Sequence, residues 1–212
     1  MNSQINVAVM ASGRGTNFKA LAENCAEDDF PAVLKHLIVD NPKAGALNIA
    51  KEMNIESTVV DCGPIRGAMS SESSRLISDI FQELEIGLIC LAGFMRILKG
   101  DLLDEYEGRI MNVHPALLPS FKGLNAQKQA IDYGVRFSGC TVHFVDKGID
   151  TGPIIIQRTV PVSQEDNEET LSRKILKEEH KAYVKAVKLF AESRIETKGR
   201  RVFIYEKCKG NK

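Results

Sequence analysis

The chain has 212 residues, enough for one large domain or two small ones, and 43% of them are hydrophobic, which excludes intrinsic disorder. Its 28 Lys and Arg residues balance its 28 Asp and Glu residues, so the net charge predicts no affinity for nucleic acid or for an anionic membrane. Five cysteines without a CxxC pair predict neither a disulfide framework nor a zinc site.

Apolar, strand-like runs alternate with helical patterns through the first half of the chain. Strands are predicted at residues 5–12, 34–40, 57–61, 87–93 and 109–114. Helices are predicted at residues 16–27, 44–53 and 70–85, and residues 62–70 are predicted to form a loop. This alternation predicts a parallel sheet with right-handed crossovers and helices on both faces.

The second half departs from strict alternation. A helix is predicted at 126–134, strands at 139–145 and 152–162, and a long helix at 167–193. Two strands in succession, joined by a short loop, predict an antiparallel pair at one edge of the sheet. The predicted fold class is therefore α/β, doubly wound and mostly parallel, with an antiparallel edge.

One domain, residues 1–193, is predicted because no linker or repeat divides the chain. Residues 194–212 form a basic C-terminal tail with seven Lys or Arg against two Glu, which we expect to be disordered or to lie at a solvated edge.

The first predicted turn, SGRGTN, has the features of a phosphate-binding loop. Gly13 and Gly15 allow a tight turn and a close backbone approach, and Thr16 or Asn17 can cap the following helix, whose free N–H groups attract anions. Phe18 takes the place of the third glycine of a dinucleotide-binding turn, so a single phosphate is favoured. An ordinary turn between strand and helix fits the loop equally well.

The fifth predicted strand ends in Asn-x-His. Residues two apart in a strand face the same side, so Asn112 and His114 share one face, and Pro115 ends the strand just after them. Ligands of open α/β sheets bind beyond the carboxyl ends of strands. An amide can stabilise an oxyanion and an imidazole can carry a proton, so the pair favours a catalytic role over two strand-end residues bonded to backbone.

Two polar residues downstream have common structural explanations. Asp150, in KGIDTG, could pair with His114 and raise its pKa, but a turn aspartate bonded to its own backbone is very common, and the sequence alone favours that structural role. His143, in a predicted strand, is expected to be a hydrogen-bonded structural histidine.

Two other segments leave alternatives open. Met95, Ile97 and Leu98 follow the fourth strand and could line an apolar slot for a flat ligand or begin a packed helix. Glu179 falls on the apolar stripe of the long helix, so its carboxylate needs a protein or ligand partner unless its head reaches water.

Together these segments resemble the folate-dependent formyltransferase family, and within it the glycinamide ribonucleotide formyltransferases. The resemblance extends over residues 5–193, nearly the whole chain. Asn-x-His with a downstream Asp-x-Gly-Pro is shared across the wider family. The matching segments are SGRGTN at 12–17, LAGFMRIL at 91–98, NVHPALLPSFKG at 112–123, TVHFVDKGIDTGPIIIQ at 141–157 and EEH at 178–180.

The resemblance implies a Rossmann-like formyltransferase fold and transfer of a formyl group from 10-formyltetrahydrofolate to glycinamide ribonucleotide, without a metal or a covalent protein intermediate. It assigns Asn112 to the oxyanion, His114 to proton transfer and Asp150 to holding and polarising His114. The residues implied for the phosphate and ribose are Gly15, Thr16, Asn17 and Glu179. Those implied for folate are Met95, Arg96, Ile97, Leu98, Asp146, Lys147, Gly148 and Ile149.

The expected partners are these small molecules alone, bound by a monomer or homodimer, with no nucleic acid and no membrane. No apolar run reaches the ~18 residues of a membrane span. Gln4 and Asn6 interrupt the first apolar stretch, so a signal peptide is not predicted and we expect a cytoplasmic location.

Three alternative functions have recognisable sequence requirements. A 10-formyltetrahydrofolate hydrolase would use the same site with water, but normally has an N-terminal regulatory domain, and only four residues precede the first predicted strand. A methionyl-tRNA formyltransferase would carry a C-terminal tRNA-binding domain. A non-catalytic nucleotide or folate sensor would have no need of a proton shuttle.

Overall fold

Strands and helices alternate through the first half of the computed structural model, which describes residues 4–63 and 67–206. The elements are β1 (Ile5–Ala11), α1 (Thr16–Cys25), β2 (Ala32–Val39), α2 (Ala46–Glu52), β3 (Glu56–Val59), α3 (Ser71–Glu83), β4 (Ile86–Leu91), α4 (Asp101–Glu105) and β5 (Ile110–His114). Each predicted strand and helix of this half is present, with ends that differ by a few residues. Part of the loop predicted at 62–70, residues 64–66, lies outside the described residues.

The second half contains the predicted helices and strands and one further hairpin. The elements are α5 (Ala126–Tyr133), β6 (Phe137–Phe144), β7 (Ile154–Pro161), α6 (Glu168–Ala191), β8 (Ile195–Lys198) and β9 (Arg201–Ile204). The hairpin β8–β9 falls in the basic tail, where most of its residues are exposed. Residues 207–212 of that tail lie outside the described residues.

The sheet has the strand order β3-β2-β1-β4-β5-β6-β7-β9-β8. Strands β3, β2, β1, β4 and β5 are parallel, whereas β6 is antiparallel to β5 and β7 is antiparallel to β6. The prediction of a doubly wound, mostly parallel sheet with an antiparallel edge is therefore confirmed. The chain order reverses between the neighbours β1 and β4, which creates a crevice at their carboxyl ends.

Two hydrophobic clusters cover the two faces of the sheet. Along β1, Val7 and Val9 belong to one cluster and Ala8 and Met10 to the other, as the alternation of side chains in a strand requires. The first cluster includes residues of α1, α2, α5 and α6, and the second includes residues of α3 and α4. The sheet therefore supports the two loops that follow β1 and β4 and border the crevice. None of the described helices combines the length and the apolar character needed to cross a membrane.

Candidate active site

The side chains of His114 and Asp150 lie in contact although the two residues are far apart in the chain. The His114 Nδ1 atom is 3.3 Å from Asp150 Oδ2, and the exposed fractions of the two side chains are 6% and 11%. The Gly123 backbone N–H donates to the same carboxylate oxygen over 2.8 Å. Asp150 has a φ of 51°, a left-handed conformation that Asp tolerates better than most residues. The sequence alone favoured a turn aspartate bonded to its own backbone, whereas the structure places the Asp150 carboxylate against His114.

The other ring nitrogen of His114 determines the tautomer. Nε2 lies 2.8 Å from the Phe121 carbonyl oxygen, which can only accept a hydrogen bond, so the Nε2 atom carries a proton. In the neutral ring the Nδ1 lone pair therefore faces Asp150. One additional proton fits between Nδ1 and the carboxylate, so the pair is built to take up a single proton and to release it.

Burial and charge oppose each other at this pair. Burial lowers the pKa of His114, and this outweighs the opposing effects of the Asp150 charge and the Phe121 carbonyl. Burial alone would raise the pKa of Asp150, but the adjacent imidazole of His143, the Gly123 backbone N–H and the imidazole of His114 bring that pKa below its usual value. His114 thus rests as a neutral base beside an ionised carboxylate.

Asn112 lies beside this pair and is oriented by His143. The His143 Nδ1–H donates to the Phe144 carbonyl over 2.7 Å, so the neutral ring presents Nε2 as an acceptor. The Asn112 side-chain amide donates one hydrogen to that nitrogen over 3.2 Å. Its second N–H remains for a ligand oxygen. His143 Nε2 also lies 3.6 Å from Asp150 Oδ1, so His143 contacts both Asn112 and Asp150.

A buried hydroxyl fixes the loop that holds the Phe121 carbonyl. Thr141 Oγ1 donates to the Ala116 carbonyl over 2.7 Å and accepts from the Leu118 N–H over 3.0 Å. The Gln157 side-chain amide donates to Thr141 Oγ1 and to the Leu118 carbonyl, over 3.0 and 2.8 Å. These bonds anchor the chain between β5 and Phe121, so the acceptor that sets the His114 tautomer is held in place.

The predicted phosphate loop has the required geometry, with one difference in its cap. Gly15 is the N-cap of α1, with a φ of 78°, and α1 has no side-chain cap, so the expectation that Thr16 or Asn17 would cap it was wrong. A Cβ atom at Gly15 would lie 2.7 Å from Ala46, which closes the loop to any larger residue. The first N–H groups of α1 therefore remain available to an anion.

Asn17 is turned away from the cap because it binds Glu179. The Asn17 side-chain amide donates to Glu179 Oε2 over 2.8 Å across the interior of the protein. The exposed fractions of Asn17 and Glu179 are 9% and 7%, and the Asn17 Oδ1 atom is buried without a hydrogen-bond partner among the described residues. Burial raises the pKa of Glu179, and the bond from Asn17 opposes that shift. A buried carboxylate with one neutral partner beside an anion loop suits the hydroxyls of a ribose.

The segment after β4 forms an irregular wall next to this loop. Met95 and Ile97 are 59% and 40% exposed, whereas Leu98 packs into the second hydrophobic cluster. The Arg96 guanidinium bonds to Asp40 over 2.9 Å, so its charge is already neutralised by a protein carboxylate. Met95 and Ile97 therefore present apolar side chains to solvent, and the packed helix that the sequence also allowed does not form there.

The loop between β6 and β7 folds back over the site. The Asp146 carboxylate accepts from the Gly148 N–H over 3.0 Å and from the Thr151 hydroxyl, which closes the turn. A Cβ atom at Gly148 would lie 2.0 Å from Thr151 Oγ1, so a larger residue there would displace the hydroxyl that binds Asp146. Lys147 pairs with Asp104 on the surface, and Ile149 is 54% exposed. The loop presents Ile149 and its own backbone outward and Asp150 inward.

The structure thus brings together, in two clusters, residues predicted from four separate segments. Asn112, His114 and Asp150 meet in one cluster, and Gly15, Thr16 and Asn17 meet Glu179 in a second. His143 was expected to have a structural role only. Its register opposite Asn112 in the β5–β6 pair explains its position, but a single sequence specifies neither which strands pair nor their register.

Comparison with known proteins identifies a family and several relatives that this chain resembles. The family model described as Formyl transferase matches residues 5–187. The phosphoribosylglycinamide formyltransferase of Bacillus subtilis (strain 168) is 39% identical over 181 residues, which cover 85% of this chain and 92% of that protein. The solved structure of glycinamide ribonucleotide transformylase 1 from Symbiobacterium toebii has a TM-score of 0.91 and 41% identity and covers 96% of this chain and 95% of that one.

Other relatives are much longer proteins. The trifunctional purine biosynthetic protein adenosine-3 of Gallus gallus is 41% identical over 196 residues, which cover 92% of this chain. The chain spans 14–19% of the length of the trifunctional relatives from chicken, human, cattle and Drosophila pseudoobscura pseudoobscura. The family match over residues 5–187, together with the fold and the assembled site, shows that the chain belongs to the formyl transferase family.

Proposed function

We propose that the protein transfers the formyl group of 10-formyltetrahydrofolate to the amine of glycinamide ribonucleotide, a step of de novo purine biosynthesis. The observation that carries this proposal is the convergence of an amide donor, Asn112, with the buried His114–Asp150 pair. The activity named in the B. subtilis relative supports the choice of acceptor. The proposed reaction uses no metal and no covalent bond to the protein.

The transfer begins when the substrate amine attacks the formyl carbon. A new carbon–nitrogen bond forms, and the formyl oxygen gains negative charge in a tetrahedral intermediate. The second N–H of Asn112, whose first is committed to His143, donates to that oxygen. Such a donor typically contributes about 10²–10³ in kcat.

The surplus proton of the attacking amine then moves through His114. The neutral ring accepts it at Nδ1, and Asp150 stabilises the resulting imidazolium from 3.3 Å. His114 returns this proton to N10 of the folate as the bond between N10 and the formyl carbon breaks. The products are N-formylglycinamide ribonucleotide and tetrahydrofolate, and the His114–Asp150 pair regains its starting charge.

Two subsites hold the substrates on either side of this chemistry. The N-terminus of α1, with Gly15, Thr16 and Asn17, binds the phosphate, and the Glu179 carboxylate accepts from ribose hydroxyls. The folate lies against the wall of residues 95–98 and the loop of residues 146–149, largely through apolar contact and backbone groups. We propose that these small molecules are the protein's substrates and that it acts as a monomer or homodimer.

The direct test is an assay with both substrates. Purified protein is mixed with 10-formyltetrahydrofolate with and without glycinamide ribonucleotide, and the formylated ribonucleotide and tetrahydrofolate are quantified. We expect both products to form in equal amounts and only when the ribonucleotide is present. Release of formate and tetrahydrofolate without the ribonucleotide would instead establish a hydrolase.

The variant His114→Ala tests the assignment of the proton carrier. We expect kcat to fall by about 10²–10⁴, since general acid–base catalysis typically contributes that much. Calorimetric titration with the ribonucleotide should give an affinity close to that of the wild type, because His114 is not in its proposed subsite. A variant with wild-type kcat would remove His114 from this role.

A further inference from the structure

The loops that follow β1 and β4 are joined by three hydrogen bonds. The Ala92 N–H donates to the Met10 carbonyl over 2.9 Å, and the Ser12 N–H donates to the Gly93 carbonyl over 3.2 Å. The third is different, because the Met95 N–H donates to the Ser12 side-chain oxygen over 2.8 Å. It is the one bond of the three that a side-chain substitution can remove.

Ser12 lies between the two proposed substrate subsites. It is the first residue of the SGRGTN loop, which ends at the N-terminus of α1, and its bond partner Met95 begins the wall of the folate slot. The two loops flank the crevice between β1 and β4, where the strand order reverses. The distance between the loops is thus set in part by this hydroxyl.

The Ser12 hydroxyl can form hydrogen bonds beyond the one that it accepts from Met95. A serine hydroxyl can accept hydrogen bonds and can donate one proton. Met95 occupies an acceptor position, and among residues 4–63 and 67–206 no acceptor takes the Ser12 proton. Ser12 is half-buried, so this proton can reach a ligand in the crevice.

Other bonds attach the middle of the wall to parts of the protein outside the ribonucleotide loop. Arg96 is tied to Asp40 at the end of β2, and the Ile97 N–H and carbonyl bond to the backbone of Gly67 and Met69. These bonds hold the middle of the wall without involving the ribonucleotide loop. The first residue of the wall, Met95, depends on Ser12.

We infer that Ser12 is a positioning residue that couples ribonucleotide binding to the folate slot, an inference that rests on the proposed function. A ribonucleotide phosphate at the start of α1 accepts the free proton of the hydroxyl. This orients the oxygen lone pair toward the Met95 N–H and fixes the first residue of the slot. Each ligand therefore binds more tightly when the other is present, and linkage requires the same factor in both directions.

The test measures this factor with a pair that cannot react, glycinamide ribonucleotide and tetrahydrofolate, which lacks the formyl group. Calorimetric titration gives the dissociation constant of each ligand alone and with the other saturating. For the wild type we expect the second ligand to bind about fivefold or more tightly, the lower end of typical couplings. Ser12→Ala should bring the factor close to one, with folate alone binding within about threefold of wild type and the ribonucleotide alone binding more weakly, because its phosphate loses the hydrogen bond from the hydroxyl. Ser12→Thr, which keeps the hydroxyl, should restore it.

The controls distinguish a loss of coupling from a loss of stability and from a failure of the proposed function. Ser57→Ala removes the same hydroxyl from an exposed position on the edge strand β3 and should leave the coupling factor unchanged. A wild-type factor of one, or an unchanged factor in Ser12→Ala, would overturn the inference alone. A Ser12→Ala variant that loses both ligands equally and melts earlier would reduce Ser12 to a structural residue. Wild-type protein that binds neither ligand would overturn the proposed function as well.

Discussion

His114 has an acceptor at each ring nitrogen, and the two acceptors have different consequences. The Phe121 carbonyl keeps a proton on Nε2 whatever the charge of the ring, whereas the contact between Nδ1 and Asp150 changes with each proton taken up. The ring therefore titrates at Nδ1 only, and its titration belongs to the His114–Asp150 pair as a unit. The orientation of the ring stays constant while its charge changes.

The pH dependence of kcat follows from this pair. His114 must be neutral to accept the amine proton, so kcat should rise with pH through the pKa of the pair. Burial lowers the pKa of His114 from 6.5, so the acidic limb of the profile should lie below that value. The Asp150→Asn variant loses the carboxylate that raises the pKa of His114. The acidic limb of its kcat profile should therefore move to still lower pH.

The same Asp150→Asn variant should also lose about 10²-fold or more in kcat, because the imidazolium loses its counter-charge. The profile of kcat between pH 5 and 9, measured with both substrates saturating, tests both effects. A limb that moves to higher pH would contradict the assigned charge of Asp150.

Glu179 should lower stability at neutral pH. Burial raises its folded-state pKa above the unfolded value of about 4.3, so its carboxyl group favours folding while protonated. This contribution is complete below the unfolded pKa and is lost as the pH rises through the folded pKa. Glu179→Gln, which keeps an acceptor for Asn17, should therefore raise Tm at pH 7.5 by about 2–4 °C for each kcal/mol gained.

Thermal unfolding at several pH values measures the Glu179→Gln effect. The difference in Tm should shrink as the pH falls toward 4, and ribonucleotide affinity should be weaker with tetrahydrofolate binding spared. An equal loss of affinity for both ligands would indicate a perturbed fold.

At the scale of elements, the strand–loop–helix unit at the start of the chain has two glycines with different requirements. Gly15 has a positive φ and no room for a Cβ, whereas a Cβ at Gly13 would have no atom within 4 Å and no φ penalty. Gly15→Ala should therefore destabilise the protein, by about 1–3 kcal/mol for the backbone conformation with a further cost for the contact with Ala46.

Gly13→Ala is the matched control for that change and should leave the free energy of unfolding within about 0.5 kcal/mol of wild type. Urea denaturation of both variants provides the comparison. Equal stabilities would show that the loop can move away from Ala46.

Element boundaries were predictable because each element has a local cause. Short, continuous apolar runs predicted the strands, and Asn167, which accepts from the Thr170 N–H, starts α6 close to the predicted position. The pairing of elements was not predictable from residues alone. His143 reaches Asn112 only because β6 runs antiparallel to β5 in one register, and Glu179 meets Asn17 only because α6 packs against α1. The family resemblance, rather than periodicity, connected Asp150 to His114.

For the whole molecule, the hairpin β8–β9 is an appendage of the sheet. It pairs with β7 through one residue pair, Ile154 and Arg201. Of the hairpin's residues, only Ile195 and Val202 pack partly against the core. A chain that ends at Arg194 should stay folded and lose about 1–3 kcal/mol of stability, in proportion to the small apolar area that it no longer buries.

The same truncation uncovers the edge of β7, so self-association at high concentration should increase. Thermal unfolding and size-exclusion chromatography of the truncated and full-length chains test these outcomes. An unfolded truncated chain would show that the hairpin is an integral part of the domain.

The proposed catalytic residues come from one continuous stretch of chain. Asn112, His114, His143 and Asp150 all lie in β5, β6 and the loop before β7, whereas Glu179 lies on α6 and the phosphate loop follows β1. Mutations that change how the acceptor is recognised can therefore accumulate near the ends of the sequence, while the residues proposed for formyl transfer are inherited together. In evolutionary terms, such a layout allows a lineage to exchange one acceptor for another without rebuilding the reaction itself.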